Sequence, residues 1–82
     1  MARYSSVSMS KLSPIAVKKL VRILKKLGFQ IMHQKGSHAF FEHKDGRTAV
    51  VPLHYGEDIG KGLLNEILKD IELTVDEFNA FK

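Results

Sequence analysis

The stretch from residue 29 to residue 53 constrains the fold most, because two turn signals separate three strand-like segments. The segments are Phe29 to Gln34, His38 to His43 and Thr48 to Leu53. Lys35-Gly36-Ser37 lies between the first two, and Asp45-Gly46 lies between the last two. Asp-Gly is a strong hairpin signal, since both residues accept the positive φ angles of a type I′ turn. The sequence therefore predicts three antiparallel strands joined by short turns.

A two-residue turn at Asp45-Gly46 also predicts how the second hairpin pairs. The expected pairs are Glu42 with Ala49, Phe40 with Val51, and His38 with Leu53. In this register His38 shares a face with Val51, and that face is a candidate core face. Pro52 cannot donate a hydrogen bond to a ladder, so the third strand is expected to be an edge strand or to end there.

Helical patterns flank the strands on both sides. Ser13-Pro14 predicts a helix start, with serine as the N-cap, and Gly28 predicts its end. A second helix is predicted from Lys61 to Glu72, and Thr74 with Glu77 forms a capping-box pattern that starts a short last helix. The apolar residues at helical spacing are Val17, Leu20, Val21, Leu24 and Leu27 in the first helix, and Leu64, Ile67, Leu68 and Ile71 in the second.

The predicted order is thus α-β-β-β-α followed by a terminal helical turn. Three antiparallel strands with helices on one face form an α+β two-layer domain. Residues 1–10 are rich in serine and aperiodic, which predicts a flexible N-terminal tail before a single domain at 11–82. Phenylalanines in a domain this small are expected to lie mostly in the core, although they could also stack on bases; they are Phe40, Phe41, Phe78 and Phe81.

The first helix carries a basic face opposite its apolar stripe. Five cations fall within an arc of roughly 120°, with no acidic residue among them. They are Lys18, Lys19, Arg22, Lys25 and Lys26. Solvated helices usually mix charge signs, because opposite pairs at i,i+4 are favourable. The face therefore predicts a surface for an anionic partner such as RNA, with an ordinary solvated face as the alternative.

Composition limits the classes of function. The chain has 82 residues, no cysteine and a net charge of +4. A domain of this length buries only about 60–65% of its unfolded surface, so a deep enclosed cavity and a large cofactor are not expected. Disulfides and thiolate metal sites are excluded. No apolar run approaches the roughly 20 residues of a membrane span, and the N-terminus lacks the apolar core of a secretory signal, so a cytoplasmic location is expected.

Five short motifs together resemble the HicA toxin family, the small mRNA interferases of bacterial and archaeal toxin–antitoxin pairs. They are LKKLGF (24–29), QKGSHAFF (34–41), VPLH (51–54), GLLNEIL (62–68) and LTVDEF (73–78). Their order and spacing also fit, over roughly residues 11–81. The resemblance implies a fold similar to the double-stranded RNA-binding domain, an endoribonuclease activity without a cofactor, and neutralisation by a HicB-type antitoxin. One departure is Leu63, where family members often carry threonine.

The resemblance also implies that His38 is the catalytic residue, with Gly36 and Ser37 completing its motif. The residue chemistry agrees, because RNA cleavage without a metal needs a proton acceptor for the ribose 2′-OH and a proton donor for the leaving oxygen. Histidine ordinarily titrates near pH 6.5 and fills either role. Gly36 allows close approach of a backbone, Ser37 can hydrogen-bond a phosphate or the imidazole, and Lys35 supplies positive charge.

The other histidines are His33, His43 and His54. His54 ends the VPLH motif near the predicted end of the third strand, where a second acid–base role competes with turn capping or packing. The spacing of the four histidines matches no known ligand pattern, so a metal site is not expected. The alternative to an enzyme is a non-catalytic module that docks on structured RNA through phosphate and 2′-OH contacts. The Gly36-Ser37-His38 motif is the feature that separates the two hypotheses.

Overall fold

The computed structural model describes residues 12–82, so the predicted tail at 1–10 lies outside the described residues. The α-β-β-β-α order is confirmed, with a short third helix and one additional pair of very short strands. The helices are α1 (Val17–Lys26), α2 (Lys61–Asp70) and α3 (Val75–Asn79). The strands are β1 (Ile15–Ala16), β2 (Gln30–Lys35), β3 (His38–Glu42), β4 (Thr48–Pro52) and β5 (Asp58–Ile59). Strands β2, β3 and β4 form an antiparallel sheet in that order, and β1 pairs with β5.

Helix α1 begins later than the sequence predicted. Ser13 is not its N-cap; that position belongs to Ala16, which provides no side-chain cap. Ile15 is instead extended, pairs with Ile59 and is buried in the core. The backbone N–H of Val17 donates to the carbonyl of Glu57 at 3.2 Å, so the loop before β5 satisfies a helix N–H group that a side chain was expected to satisfy.

The predicted helix end at Gly28 is confirmed. Gly28 has a φ of +101°, its N–H donates to Lys25, and the N–H of Phe29 donates to Leu24 at 2.9 Å. Helix α2 ends in the same kind of motif, because the N–H of Leu73 donates to Leu68. There Glu72 takes the left-handed conformation with a φ of +57°, so the prediction that α2 continues through Glu72 was wrong by two residues. The capping box of Thr74 and Glu77 at the start of α3 is confirmed.

The register predicted for the second hairpin was wrong by one residue. The pairs found are His38 with Pro52, Ala39 with Val51, Phe40 with Val50, Phe41 with Ala49, and Glu42 with Thr48. The N–H of His43 donates to Arg47, and only Gly46 has a positive φ, so the loop has three residues and not the two of a type I′ turn. Asp45 holds this longer loop, since its carboxylate accepts from the backbone N–H and the Nε of Arg47.

This register decides which residues face the core. A shift of one residue moves every side chain to the other face of the sheet. The buried face of β3 and β4 carries Ala39, Phe41, Ala49 and Val51, which pack in one cluster with the apolar stripes of α1 and α2. The opposite face, which we call the open face, carries exposed residues of the same two strands: His38, Phe40, Glu42, Thr48 and Val50.

Gly28 offers a test of this packing, because it combines a positive φ with a close neighbour. A Cβ atom at Gly28 would lie 2.9 Å from Nε2 of His43. The ring of His43 is held by an edge-on contact with Phe29 and by the N–H of Asp45 at Nδ1. We expect Gly28→Ala to lower the free energy of unfolding by about 2 kcal/mol or more, from backbone strain plus this contact.

Gly46→Ala is the matched control, because Gly46 has a φ of +99° and nothing within 4 Å of its Cβ position. It should cost only the backbone term, about 1 kcal/mol. Urea unfolding of both variants measures the difference. Equal losses in the free energy of unfolding at the two positions would mean that the ring of His43 does not clash with a Cβ atom at position 28.

Candidate active site

The turn between β2 and β3 presents the Lys35-Gly36-Ser37-His38 motif. Lys35 and His38 pair directly across it, with Gly36 and Ser37 as the two turn residues. Gly36 has a φ of +60° and Ser37 has no positive φ, which is typical of a type II′ hairpin turn with glycine at its first central position. A Cβ atom at Gly36 would meet nothing within 4 Å. Glycine is therefore favoured there by backbone conformation, and the space beside it is open to a ligand.

Two hydrogen bonds fix the position of this turn. The backbone N–H of Leu53 donates to the carbonyl of Ser37 at 2.6 Å, which ties the turn to the end of β4. The side-chain amide of Gln34 donates to the carbonyl of Gly36 at 3.1 Å. Both turn carbonyls thus accept hydrogen bonds. The position of the motif is therefore fixed by neighbouring residues as well as by the conformational preference of the turn residues.

His38 begins the central strand and is exposed on the open face. Its Cα partners are Lys35 on β2 and Pro52 on β4. The expected register put His38 on the same face as Val51, and this was wrong, because Val51 pairs with Ala39 and lies on the opposite, buried face. Directly opposed residues of an antiparallel pair point to the same side, with Cβ atoms about 5 Å apart. The side chains of His38 and Lys35 therefore lie next to each other on the open face, where both are exposed.

A shallow groove lies beyond the end of β4 and includes His54. The side chain of His54 is exposed, and its backbone carbonyl accepts a hydrogen bond from the backbone N–H of Glu57 in a turn. The groove is lined by residues from β4, the following loop and the first residues of α1 and α2, namely Val17, Pro52, His54, Glu57, Asp58, Ile59, Gly60 and Leu63. His54 therefore lies at the same end of the domain as Pro52, the strand partner of His38. Leu63 is exposed at this groove.

The five cations of α1 are all exposed, as predicted. None of the ion pairs found within residues 12–82 involves them. They point away from the core on the outer side of the helix layer, whereas His38 lies on the open face of the sheet. The structure therefore does not bring the basic face and His38 onto one surface. Lys18 is the cation that follows Val17 at the groove, and Lys26 lies at the other end of the helix.

A cluster at the far end of the sheet was not predicted from the sequence. The guanidinium of Arg47 binds both oxygens of Asp45, donates to the carbonyl of Ile71 at 2.6 Å and stacks over the ring of Phe29. The hydrogen bonds from Arg47 hold the pKa of Asp45 below its usual value. The resulting stabilisation is present above the unfolded-state pKa and is lost as pH falls through the lower folded-state pKa. The cluster includes His43 and joins the hairpin to α2, which is a structural role.

The expectation that the phenylalanines lie mostly in the core was half correct. Phe41 and Phe78 are fully buried, but 36% of Phe40 and 40% of Phe81 are exposed. Phe40 lies on the open face, paired with His33 of β2, and their ring centroids are 4.6 Å apart. The correct register would have revealed this exposure, because it pairs Phe40 with the exposed Val50 and not with the buried Val51.

Two features of residues 12–82 bear on the other classes of function. No three histidine, aspartate or glutamate side chains of this part of the chain are grouped so that they could hold a metal ion. None of its helices combines the length and the apolar character that crossing a membrane requires.

Comparison with known proteins identifies the family. The sequence model of the family described as "HicA toxin of bacterial toxin-antitoxin" matches residues 17–73, which run from the first residue of α1 to the residue before the capping box. Curated proteins provide no match to the chain. The matched region contains the whole three-stranded sheet, the Gly36-Ser37-His38 turn and the basic face of α1. Members of this family are toxins of toxin–antitoxin systems and generally ribonucleases. The chain therefore belongs to the HicA toxin family.

Proposed function

We propose that this protein is an endoribonuclease that cleaves mRNA without a metal ion, with His38 transferring protons. The observation that carries the proposal is the exposed imidazole of His38 on a fixed turn, next to the cation of Lys35. A general acid or base must be accessible and held in place relative to its substrate. The central strand and the two hydrogen bonds to the turn supply that placement.

The chemistry follows from what an RNA strand offers. His38 accepts the proton of a ribose 2′-OH while the 2′ oxygen forms a bond to the adjacent phosphorus. The bond from phosphorus to the 5′ oxygen of the next nucleotide breaks, and that oxygen takes a proton from a general acid or from water. The products are a 2′,3′-cyclic phosphate and a 5′-hydroxyl. Lys35 stabilises the charge on the phosphorane oxygens, and His54 is the candidate for the second proton transfer.

RNA binding is assigned to the basic face of α1. Its five cations, none of which forms an ion pair within residues 12–82, attract the phosphate backbone without reading sequence. Since this face and the open face lie on opposite layers, the bound strand must pass around the end of the domain where α1 begins. That end carries Lys18 and the groove with His54. The bound RNA is expected to be single-stranded there, because a stiff duplex does not bend so sharply around the end of the domain.

Neutralisation is assigned to a HicB-type antitoxin that covers Lys35 and His38. Direct occlusion is the simplest mechanism in a domain with one thin core, and an acidic surface on the antitoxin would complement the cations. The pair would act in the cytoplasm, where release of the toxin arrests translation under stress. Hydrogen exchange of the complex should then show protection at the β2–β3 turn.

The test of the proposed function is incubation of the purified protein with end-labelled RNA, with and without a chelator. We expect cleavage at equal rates in both, since no step uses a metal ion. The alternative is a non-catalytic module similar to the double-stranded RNA-binding domain, which the two-layer fold and the basic helix would also suit. In that case the protein retards the RNA in a gel but leaves every strand intact.

A further inference from the structure

The open face of the sheet carries large apolar side chains that the described chain leaves uncovered. Met32 is 60% exposed, Val50 is 40% exposed and Phe40 is 36% exposed. Together with Glu42 and Thr48, the three residues line a shallow hollow of about 380 Å³ that is open to solvent. A single exposed apolar residue needs no explanation, but several side by side on one face mark a binding surface.

Phe40 is held in place by its neighbour across the strands. His33 pairs with Phe40, and the two rings lie 4.6 Å apart with 33° between their planes. A bulge in β2 between Ile31 and His33 shifts the pairing by one residue and brings these two rings opposite each other. The pair therefore forms an aromatic platform on the solvent side of the sheet.

This platform lies next to the proposed active site. Residues two positions apart on a strand point to the same face and are separated by about 7 Å, so Phe40 is the next open-face residue after His38. Lys35 is paired with His38 in the adjoining row. A base stacked on Phe40 would thus have its own ribose and phosphate beside the imidazole of His38 and the ammonium of Lys35.

We propose that Phe40, backed by His33, stacks the base of one nucleotide of the single-stranded RNA and so positions the adjoining phosphate at His38. The proposal rests on the ribonuclease function proposed above and names the residue that positions its substrate. A nucleobase fits better than an apolar protein segment, because the platform contains the imidazole of His33 and adjoins His38 and Lys35 on a chain of net charge +4. The carboxylate of Glu42 lies on the other side of Phe40, away from His38. Aromatic stacking accepts any base, so it positions the strand without selecting a sequence.

Phe40→Leu tests the platform, because leucine keeps an apolar side chain and removes the aromatic face. We expect it to weaken the binding of a non-cleavable 2′-O-methyl RNA by about 10-fold, the usual effect of losing one stacked base. Removing single bases along the same strand should reproduce that loss at one position only. The two losses should not add, since both remove the same contact. Full additivity at every abasic position would overturn the proposal.

Phe40→Trp supplies a direct readout, because the chain contains no tryptophan. Its emission should be quenched by the 2′-O-methyl RNA, and wild-type binding should be retained because an indole also stacks. Phe81→Trp is the matched control, since Phe81 is similarly exposed but follows α3. Its emission should not change. Equal quenching at both positions would show that the RNA does not stack specifically on residue 40. A shift in the emission of Phe40→Trp with protein concentration alone would assign the open face to a second copy of the chain, and a shift with the antitoxin alone would assign it to the antitoxin.

Cleavage by the wild-type protein separates this inference from the proposed function. If the wild-type protein leaves all RNA intact, the ribonuclease function fails. If the wild-type protein cleaves and Phe40→Leu cleaves equally fast at subsaturating RNA, the function stands and the stacking proposal is wrong. Thermal melting of Phe40→Leu accompanies both measurements, and Phe40→Trp must restore binding for the loss to be assigned to stacking.

Discussion

Replacing His38 with alanine is expected to lower RNA cleavage by about 100-fold or more, the usual contribution of a general acid or base. His38→Gln should be equally inactive, because glutamine hydrogen-bonds but does not titrate in this range. Binding of RNA should remain nearly intact in both variants, since the phosphate contacts are assigned to α1. Growth arrest on induced expression reports the activity of each variant in cells.

The structure also predicts that both variants fold. His38 is exposed, and its backbone remains paired with Lys35 and Pro52 whatever its side chain. Surface substitutions of this kind usually change the free energy of unfolding by less than about 0.5 kcal/mol. Thermal melting of the purified variants checks this. A toxic glutamine variant beside an unfolded alanine variant would show that the ring is structural, and the catalytic assignment would fail.

Reversing Lys18, Arg22 and Lys25 to glutamate is expected to abolish RNA binding with little loss of stability. All three side chains are exposed and without ion-pair partners within residues 12–82. If the five cations of α1 each neutralise one phosphate of a single strand, the logarithm of the wild-type binding constant should fall with the logarithm of salt concentration at a slope of roughly −3 to −4. Fluorescence anisotropy with labelled RNA at several salt concentrations measures both quantities.

The control for charge alone is a triple reversal elsewhere. Lys44, Lys69 and Lys82 are exposed and lie outside α1, and their reversal changes the net charge by the same amount. Binding that survives in this control and is lost in the α1 variant would assign the RNA surface to α1. A slope near zero in the wild type, or unchanged affinity after reversal on α1, would place the RNA surface elsewhere.

Local sequence signals predicted the elements well. The apolar stripe of α2, the Schellman glycine at position 28 and the capping box of Thr74 and Glu77 each act within a few residues, so the chain alone reveals them. The three strands and the exposed basic face of α1 followed in the same way. The start of α1 did not, because Ile15 is fixed by pairing with Ile59, a residue far along the chain.

The face of the sheet that carries the candidate site could not be predicted, because it depends on one residue of register. Asp45-Gly46 is compatible with a loop of two or three residues. The longer loop is held by a local contact of Arg47 with Asp45 and by a long-range contact of Arg47 with the carbonyl of Ile71, the residue after α2. The register that this loop sets leaves His38 and Phe40 exposed. The motif itself was visible in the sequence, but its accessibility and its aromatic neighbour were not.

A strand of deoxyribonucleotides that contains one ribonucleotide tests the central claim most directly. In the presence of a chelator, the wild-type protein should cut this strand only after the ribonucleotide and leave a 5′-hydroxyl, while His38→Gln should bind the strand and leave it whole. Cutting of an all-deoxy strand, cutting that stops when the chelator is added, or equal cutting by His38→Gln would contradict proton transfer by His38 at a ribose 2′-OH.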